Sequence, residues 1–151
     1  MDEAINGADR IFIMASLREH LVLEQVVRDL RIQKEISRQN WQRLRAVFGN
    51  RFDNAWRLVT ENRIKKYVFK PSGRTLWVAI GNNAEYMIYS HAGYCGCSDF
   101  YFRVLDEEKA YCYHLLAQML AETLEHFDLI DEDDESYDSL TAIWKRYSVM
   151  D

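Results

Sequence analysis

The cysteines are the most constraining feature of this chain, because all three fall within one spaced pattern. The pattern is C-x-C, then fourteen intervening residues, then C-x-H, and its four donor residues are Cys95, Cys97, Cys112 and His114. Three thiolates and one imidazole are a complete tetrahedral ligand set for zinc. Gly96, between the first two cysteines, allows the sharp backbone turn that points two neighbouring thiolates at one ion. The pattern therefore predicts a zinc site that joins two separate segments of the chain.

Two other interpretations of the cysteines compete with the metal site. Buried cysteines can act separately as small hydrophobic side chains, and two of them can form a disulfide. A disulfide would leave one cysteine unpaired. We expect no signal peptide and no membrane span, so nothing in the sequence indicates the secretory environment in which disulfides form. Because cysteine is scarce and every copy falls in the paired pattern, the metal interpretation is favoured.

The second half of the predicted site is expected at the start of a helix. An apolar helical pattern follows His114, and its face consists of Leu116, Met119, Leu120, Thr123, Leu124 and Phe127. The positive end of the helix dipole would favour thiolate at this position.

Charge is distributed unevenly along the chain, which has a net charge of −5. Residues 10–75 contain fifteen Lys or Arg against six Asp or Glu, whereas residues 76–151 contain four against fifteen. A basic half could bind nucleic acid or an acidic partner. Alternatively, the two halves could neutralise each other on the surface of one molecule. Both interpretations stay open on the sequence alone.

The first sixty residues have helical periodicity. A helix is expected from Ile11 to Ile36, with either a break or a second apolar face near Leu21. Asn40 is the expected N-cap of a second helix, and Gly49 is placed to end it. A third helical pattern covers residues 52–59, so two antiparallel helices should form a hairpin. We expect the aromatic residues of this hairpin to pack together as core rather than to stack on nucleic-acid bases.

Periodicity changes to that of β-strands after the third helix. The expected strands are Ile64 to Lys70, Thr75 to Ile80 and Glu85 to Ser90, which together form an antiparallel meander leading to Cys95. The only proline lies in the first turn, Pro71-Ser72-Gly73.

The first hairpin carries a basic cluster, Lys65, Lys66, Lys70 and Arg74. Its usual explanation is a charged strand edge that resists aggregation. A patch that contacts phosphate groups is the alternative.

The sequence predicts an α+β protein in three parts. Residues 1–60 form a helical region, and residues 61–127 form a small antiparallel β-meander with the zinc site and packed helices. Residues 128–151 form an acidic linker, expected at residues 128–138, and a short C-terminal helix. Between the two halves of the zinc site we expect a short helix capped by Ser98 and Asp99, then a polar loop.

These residues together resemble a SWIM-type zinc finger, whose pattern is C-x-C, a gap and C-x-H. The Pro71-Ser72-Gly73-Arg74 hairpin, the Phe48-Gly49 segment and the run C-Y-H-L-L-A from Cys112 are similar to one subgroup. That subgroup is the small SWIM-domain subunit of the Shu complex, a mediator of homologous recombination. The resemblance covers roughly residues 44–127. The extended motif of the subgroup, C-x-H-x-x-A, places Ala117 at its alanine.

Two positions depart from many SWIM sequences. Tyr113 stands where a basic residue is common, and Ser98 stands where proline is common. Neither position is a ligand, but the surroundings of the finger are acidic, which counts against contact between the finger and DNA.

The resemblance implies a non-enzymatic role in recombinational DNA repair. Members of the subgroup pair with RecA-like recombinase paralogues, and the complex promotes assembly of recombinase filaments on single-stranded DNA. The corresponding location is the nucleus in a eukaryote and the cytoplasm otherwise. At Ala117, a small side chain one turn after the ligand histidine would let the helix approach the zinc site or a partner closely. An ordinary helix-favouring alanine is the alternative.

Two other functions compete with this one. The basic half and aromatic residues such as Tyr86 and Tyr89 could bind single-stranded nucleic acid directly. A zinc enzyme normally keeps one coordination position open for water, whereas three cysteines and one histidine close the site. The chain also has no H-x-E pattern beside its cysteines of the kind that zinc deaminases use. His91 is a rival ligand and Glu107 and Glu108 are paired acids, but all three are expected in solvent.

Overall fold

Helices and strands both contribute to the fold, which confirms the predicted α+β class. The computed structural model describes residues 7–89, 94–97 and 111–150. Its helices are α1 (Gly7–Gln33), α2 (Arg38–Phe48), α3 (Asn50–Thr60), α4 (Tyr113–Leu124) and α5 (Tyr137–Met150). Its strands are β1 (Ile64–Lys70), β2 (Arg74–Ile80), β3 (Glu85–Tyr89), β4 (Tyr94–Cys95) and β5 (Asp128–Asp133). Among the helices of these residues, none combines the length and apolar character needed to cross a membrane.

The first helix, α1, runs without a break through Leu21. Of the two expectations for this region, the second apolar face is the correct one, because Leu17 and Leu21 are exposed while Val26 and Leu30 are fully buried. The helix therefore has one face in the core and an apolar stripe in solvent.

The start of α2 differs from the sequence prediction. Ser37, not Asn40, is the N-cap, and its hydroxyl oxygen accepts a hydrogen bond from the backbone N–H of Asn40 at 3.1 Å. The Asn40 side chain is instead buried, and its amide donates to Asp29 of α1 at 3.2 Å. Serine and asparagine are both good N-caps. Here the Asn40 side chain is used in the contact with α1, and Ser37 caps α2.

The hairpin of α2 and α3 packs through aromatic rings, as predicted. Gly49 ends α2 with a positive φ of 58°, a conformation that favours glycine. Trp41 of α2 lies edge-on to Phe52 at 4.7 Å and to Trp56 at 5.3 Å between ring centroids. Trp41 and Trp56 are therefore partly buried rings packed against the core rather than platforms for bases.

The five strands form one sheet in the order β4-β3-β2-β1-β5. Strands β1 to β3 are the predicted antiparallel meander, and β4, which was not predicted, adds two residues to it at Cys95. Strand β5 pairs parallel with β1, from Lys65 opposite Asp128 to Lys70 opposite Asp133. The prediction of an acidic linker over residues 128–138 is thus wrong, because this segment forms a sheet strand, a single 3-10 turn over residues 134–136 and then the start of α5. The division of the chain into three domains stays a prediction.

The basic cluster of the first hairpin is paired with this acidic strand. Lys65 forms an ion pair with Asp128, Lys70 lies 3.4 Å from Asp131, and Arg74 lies 3.7 Å from Asp134. The pKa of the Asp134 carboxyl is lowered, chiefly by a hydrogen bond from the Ser72 hydroxyl. Lys66 lies over the Trp77 ring at 5.4 Å. Strand β1 is therefore an interior strand, and the two oppositely charged parts of the chain neutralise each other here.

The sheet separates two hydrophobic cores, because alternate residues of β2 face opposite sides. Trp77 and Ala79 face the larger core, which they share with helices α1 to α4 and the cysteines. Leu76 and Val78 face the smaller core, where Trp144 of α5 is buried. The cluster of cysteines thus lies on the helical side of the sheet.

The end of α4 also differs from the prediction. The helix stops at Leu124, and Glu125 takes a left-handed conformation with a φ of 57°. Phe127 therefore does not continue the helical face. Its ring packs edge-on against Trp77 at 4.8 Å, which anchors the chain as it enters β5.

Replacing Trp144 with alanine tests whether α5 is an integral part of the fold. Trp144 is 2% exposed and its indole N–H donates to Glu85 at 2.9 Å. We expect Trp144→Ala to lower the free energy of unfolding by about 3–5 kcal/mol, through the loss of packing and of this hydrogen bond. Its matched control is Ile143→Ala, since Ile143 is the neighbouring residue and is 44% exposed. The control should cost less than about 1 kcal/mol in urea unfolding. Equal effects of the two substitutions would contradict the packing of α5 on the sheet.

Candidate metal centre

The first pair of cysteines is held by the edge of the sheet. Cys95 ends β4 and lies opposite Ile88 of β3. The backbone N–H of Gly96 donates to the carbonyl of Met87 at 3.0 Å, which extends the contact with β3 by one residue. Cys97 follows in a bend and is buried. The short strand thus fixes where the C-x-C turn begins.

The second pair lies at the start of α4, as the sequence predicts. Cys112 is the N-cap of the helix, and its Sγ accepts a hydrogen bond from the backbone N–H of Leu115 at 3.4 Å. His114 is the second helical residue. Leu116 and Leu120 hold α4 in the large core, where both are fully buried. A thiolate at this position faces free N–H groups and the positive end of the helix dipole.

The two pairs meet in one compact cluster. The candidate ligand atoms of Cys95, Cys97, Cys112 and His114 all lie within 4.8 Å of one another, and all four residues are buried. A tetrahedral zinc site with Zn–S bonds of about 2.3 Å separates its sulfur atoms by about 3.8 Å. The cluster therefore has the donor types, the number of donors and the size of a closed tetrahedral metal site. None of the three cysteines is in a disulfide, so the structure does not support the disulfide interpretation.

The histidine provides an independent test of whether a metal fits. Both ring nitrogens of His114 are buried and meet no hydrogen-bond partner among the described residues. The imidazole lies between aromatic rings, with centroid distances of 4.7 Å to Tyr86 and 4.0 Å to Tyr113. Leaving a buried polar group without a partner costs about 1–3 kcal/mol. Coordination of a cation by one nitrogen would remove part of this cost, so the environment of His114 suits a metal ligand.

The thiols influence one another strongly. Hydrogen bonds from the thiols of Cys112 and Cys95 hold the pKa of Cys97 well below its usual range. Burial raises the pKa values of the Cys95 and Cys112 thiols. A thiolate at Cys97 would attract a cation, and binding of that cation would displace the protons of the other two thiols.

Ala117 is completely buried in the large core. It lies on α4, which packs against α3, and two further alanines in these helices, Ala55 and Ala121, are also fully buried. Small side chains let two helix backbones approach closely. The Ala117 side chain is thus enclosed by its own chain and is not part of the outer surface.

Other candidates from the sequence analysis fall elsewhere. His91, Glu107, Glu108 and the short helix capped by Ser98 and Asp99 lie outside the described residues. Tyr86 is half-buried against His114, the candidate ligand. Tyr89, three residues along β3, faces the other side of the sheet, where its hydroxyl donates to Sδ of Met87 in the smaller core. The aromatic residues named for base stacking therefore do not form one platform.

Sequence reasoning missed a polar contact beside the cluster. Arg51 of α3 donates to the backbone carbonyl of Tyr111, the residue before Cys112, and also pairs with Glu19 of α1. The two residues of the first contact are sixty positions apart in the chain. No local pattern indicates such a contact.

Replacing Ala117 with threonine tests the packing interpretation. The added atoms have no room in the core, so we expect a loss of about 1–3 kcal/mol in the free energy of unfolding. Metal content should stay the same, because Ala117 is not a ligand. Ala142→Thr on the exposed side of α5 is the matched control and should cost less than about 1 kcal/mol. A loss of metal as large as that of a ligand substitution would contradict this interpretation.

Comparison with known proteins places the chain in a family. No family model matches it, and no solved structure matches it. It is 34% identical over 106 residues to the zinc finger SWIM domain-containing protein 7 homolog of Dictyostelium discoideum. That alignment covers 69% of this chain and 68% of that protein. It is 31% identical over 131 residues to zinc finger SWIM domain-containing protein 7 of Danio rerio. That alignment covers 83% of this chain and 91% of that protein. The chain therefore belongs to the family of zinc finger SWIM domain-containing protein 7.

Proposed function

We propose that this protein is a zinc-binding interaction subunit of a Shu-type mediator complex of homologous recombination. In this proposal it pairs with a RecA-like recombinase paralogue and promotes assembly of recombinase filaments on single-stranded DNA during repair. Its location in a eukaryotic cell would be the nucleus. The observation that carries the proposal is the buried set of three cysteines and one histidine, in a chain of the SWIM family.

The role proposed for zinc is structural rather than catalytic. Cys95, Cys97, Cys112 and His114 would fill all four positions of a tetrahedral ion. A closed site leaves no place for a reactive water, so the ion would supply folding free energy and no chemistry. This supports a protein that works by binding others and is not an enzyme.

An exposed apolar stripe on α1 is the surface that we propose for the RecA-like partner. The stripe consists of Met14, Leu17 and Leu21, which are 70%, 54% and 49% exposed. The spacing of these residues puts them on one side of the helix, roughly opposite the buried Val26 and Leu30. Three large apolar side chains on one exposed helix face are suited to a hydrophobic groove of another protein.

The charges of the sheet give less support to direct binding of nucleic acid. Lys65, Lys70 and Arg74 face the carboxylates of the acidic segment that follows α4. A phosphate would have to compete with these carboxylates for each cation. We therefore favour contact with single-stranded DNA through the complex rather than through the isolated chain.

Ligand substitutions test the zinc site. We expect about one zinc per chain in the wild-type protein, and loss of most of it in Cys112→Ser and in His114→Ala. The region around residues 94–97 and 111–124 should unfold with it, because ligation contributes to the folding free energy. His126→Ala removes an exposed histidine twelve residues later and should keep the metal. Elemental analysis and circular dichroism measure both effects. Unchanged metal content and stability in the ligand variants would falsify the zinc site.

Affinity purification tests the partner. The wild-type protein, purified from its own cells, should bring along a RecA-like ATPase that mass spectrometry identifies, and Cys112→Ser should lose it. Leu17→Glu should also lose the partner while keeping zinc, because it places a charge on the apolar stripe. Ile143→Glu puts the same charge on an exposed isoleucine of α5 and should keep the partner. Recovery of salt-sensitive nucleic acid, with no such ATPase, would overturn the mediator proposal in favour of direct binding.

A further inference from the structure

A buried ion pair adjoins the segment that enters the second half of the metal centre. A guanidinium nitrogen of Arg51, on α3, donates to the carboxylate of Glu19, on α1. Their side chains are 14% and 7% exposed. Burial of two charges is costly unless each makes further hydrogen bonds in good geometry. The Arg51 guanidinium makes one such further hydrogen bond, to the backbone carbonyl of Tyr111, the residue before Cys112.

The second donor of Arg51 fixes the peptide group in front of a ligand. Its Nη1 donates to the backbone carbonyl of Tyr111 at 2.9 Å. That carbonyl belongs to the same planar peptide group as the nitrogen of Cys112. A bond that holds the oxygen therefore also restrains the plane that contains the Cα of Cys112, to which the Cβ and Sγ are attached.

The Tyr111 side chain also contacts the N-terminal helices. Its hydroxyl lies 2.6 Å from Nδ1 of His20, on α1, and the two rings are 5.0 Å apart. Its ring also lies 6.3 Å from Phe48, whose own ring has the Arg51 guanidinium over it at 5.1 Å. The residue that enters the site is thus tied to three helices that precede it in the chain.

We propose that Arg51, oriented by Glu19, is a positioning residue for the metal centre. It acts on Cys112 through the Tyr111 carbonyl and does not touch the metal. The first pair of cysteines is positioned by backbone hydrogen bonds to β3, and Arg51 provides the corresponding restraint for the second pair. This inference rests on the proposed zinc site.

The planar fork of the guanidinium is essential to this role. Arginine presents several N–H donors in a fixed arrangement, so one side chain can hold a carboxylate and a carbonyl at a set angle. Lysine keeps the positive charge but carries one compact ammonium group. Arg51→Lys should therefore preserve the attraction to Glu19 and loosen the Tyr111 peptide.

The test compares metal release in three full-length proteins: wild type, Arg51→Lys and Arg45→Lys. Arg45 pairs with Asp53 on the exposed surface, so its substitution makes the same chemical change away from the site. We expect Arg51→Lys to transfer zinc to a chromophoric chelator about tenfold faster than the wild type, at the low end of the roughly 10–100-fold loss of metal affinity that follows substitution of residues that orient ligands. Its cobalt-loaded form should show altered d–d absorption bands, which a general loss of stability would not produce. Arg45→Lys should match the wild type in both measurements.

Two further variants keep the proposal open to refutation. Tyr111→Phe removes the hydroxyl but keeps the carbonyl, so its metal release should stay within about twofold of the wild type. Release as fast as in Arg51→Lys would assign the effect to loosening of α1 and overturn the proposal. Glu19→Asp draws the guanidinium towards α1 and should speed release in the same direction, which provides the test if Arg51→Lys does not fold. An unchanged rate in that variant would then overturn the proposal.

The outcomes also separate this inference from the zinc site itself. A wild-type protein that takes up neither zinc nor cobalt would refute the zinc site. A wild type that binds metal, with Arg51→Lys releasing it no faster than Arg45→Lys, would refute only the role of Arg51.

Discussion

A buried cluster of three thiols and one imidazole lies where the edge of the sheet meets the start of α4. It joins a two-residue strand to the first turn of α4. So short a strand gains little stability from its own hydrogen bonds, although these set its register on β3. The thiols and the imidazole are also poor core residues, because burial leaves the ring of His114 without partners. A cation shared by all four would resolve both problems at once, and the sheet and helix would then be fixed to each other at the cluster.

The acidic part of the chain completes the fold on the other side. Strand β5 is parallel to β1, although β1 to β4 form an antiparallel meander. Its ion pairs with β1 are partly exposed, and such pairs contribute little individually. Backbone hydrogen bonds and the packing of α5, whose Trp144 shares a buried cluster with Phe69 of β1, therefore hold this part in place, while the charges favour one register. The uneven charge of the sequence thus reflects pairing inside one molecule at this strand.

Much of the fold could be predicted because it follows from local rules. Gly49 and the turn at Pro71 act over a few residues, and they indicate the helical hairpin and the meander. The cysteine pattern is longer, from Cys95 to His114, but its spacing indicates the ligand cluster. Strand β5 was missed because aspartate and glutamate are depleted in strands, and its pairing partner lies about sixty residues earlier. The contact of Arg51 with Tyr111 spans a similar distance. Contacts of this kind are decided by the packing of whole helices, and no local pattern encodes them.

The helix α1 connects the metal centre with the proposed partner surface. One face carries Glu19, which orients Arg51, and the opposite side carries Leu17 and Leu21 in solvent. A change at the metal centre can therefore alter the placement of α1 through the Tyr111 segment. It follows that if Cys112→Ser loses the partner, this loss alone does not show that the partner contacts the zinc finger. The partner could contact α1 alone and still depend on the metal, because the same buried ion pair belongs to both regions.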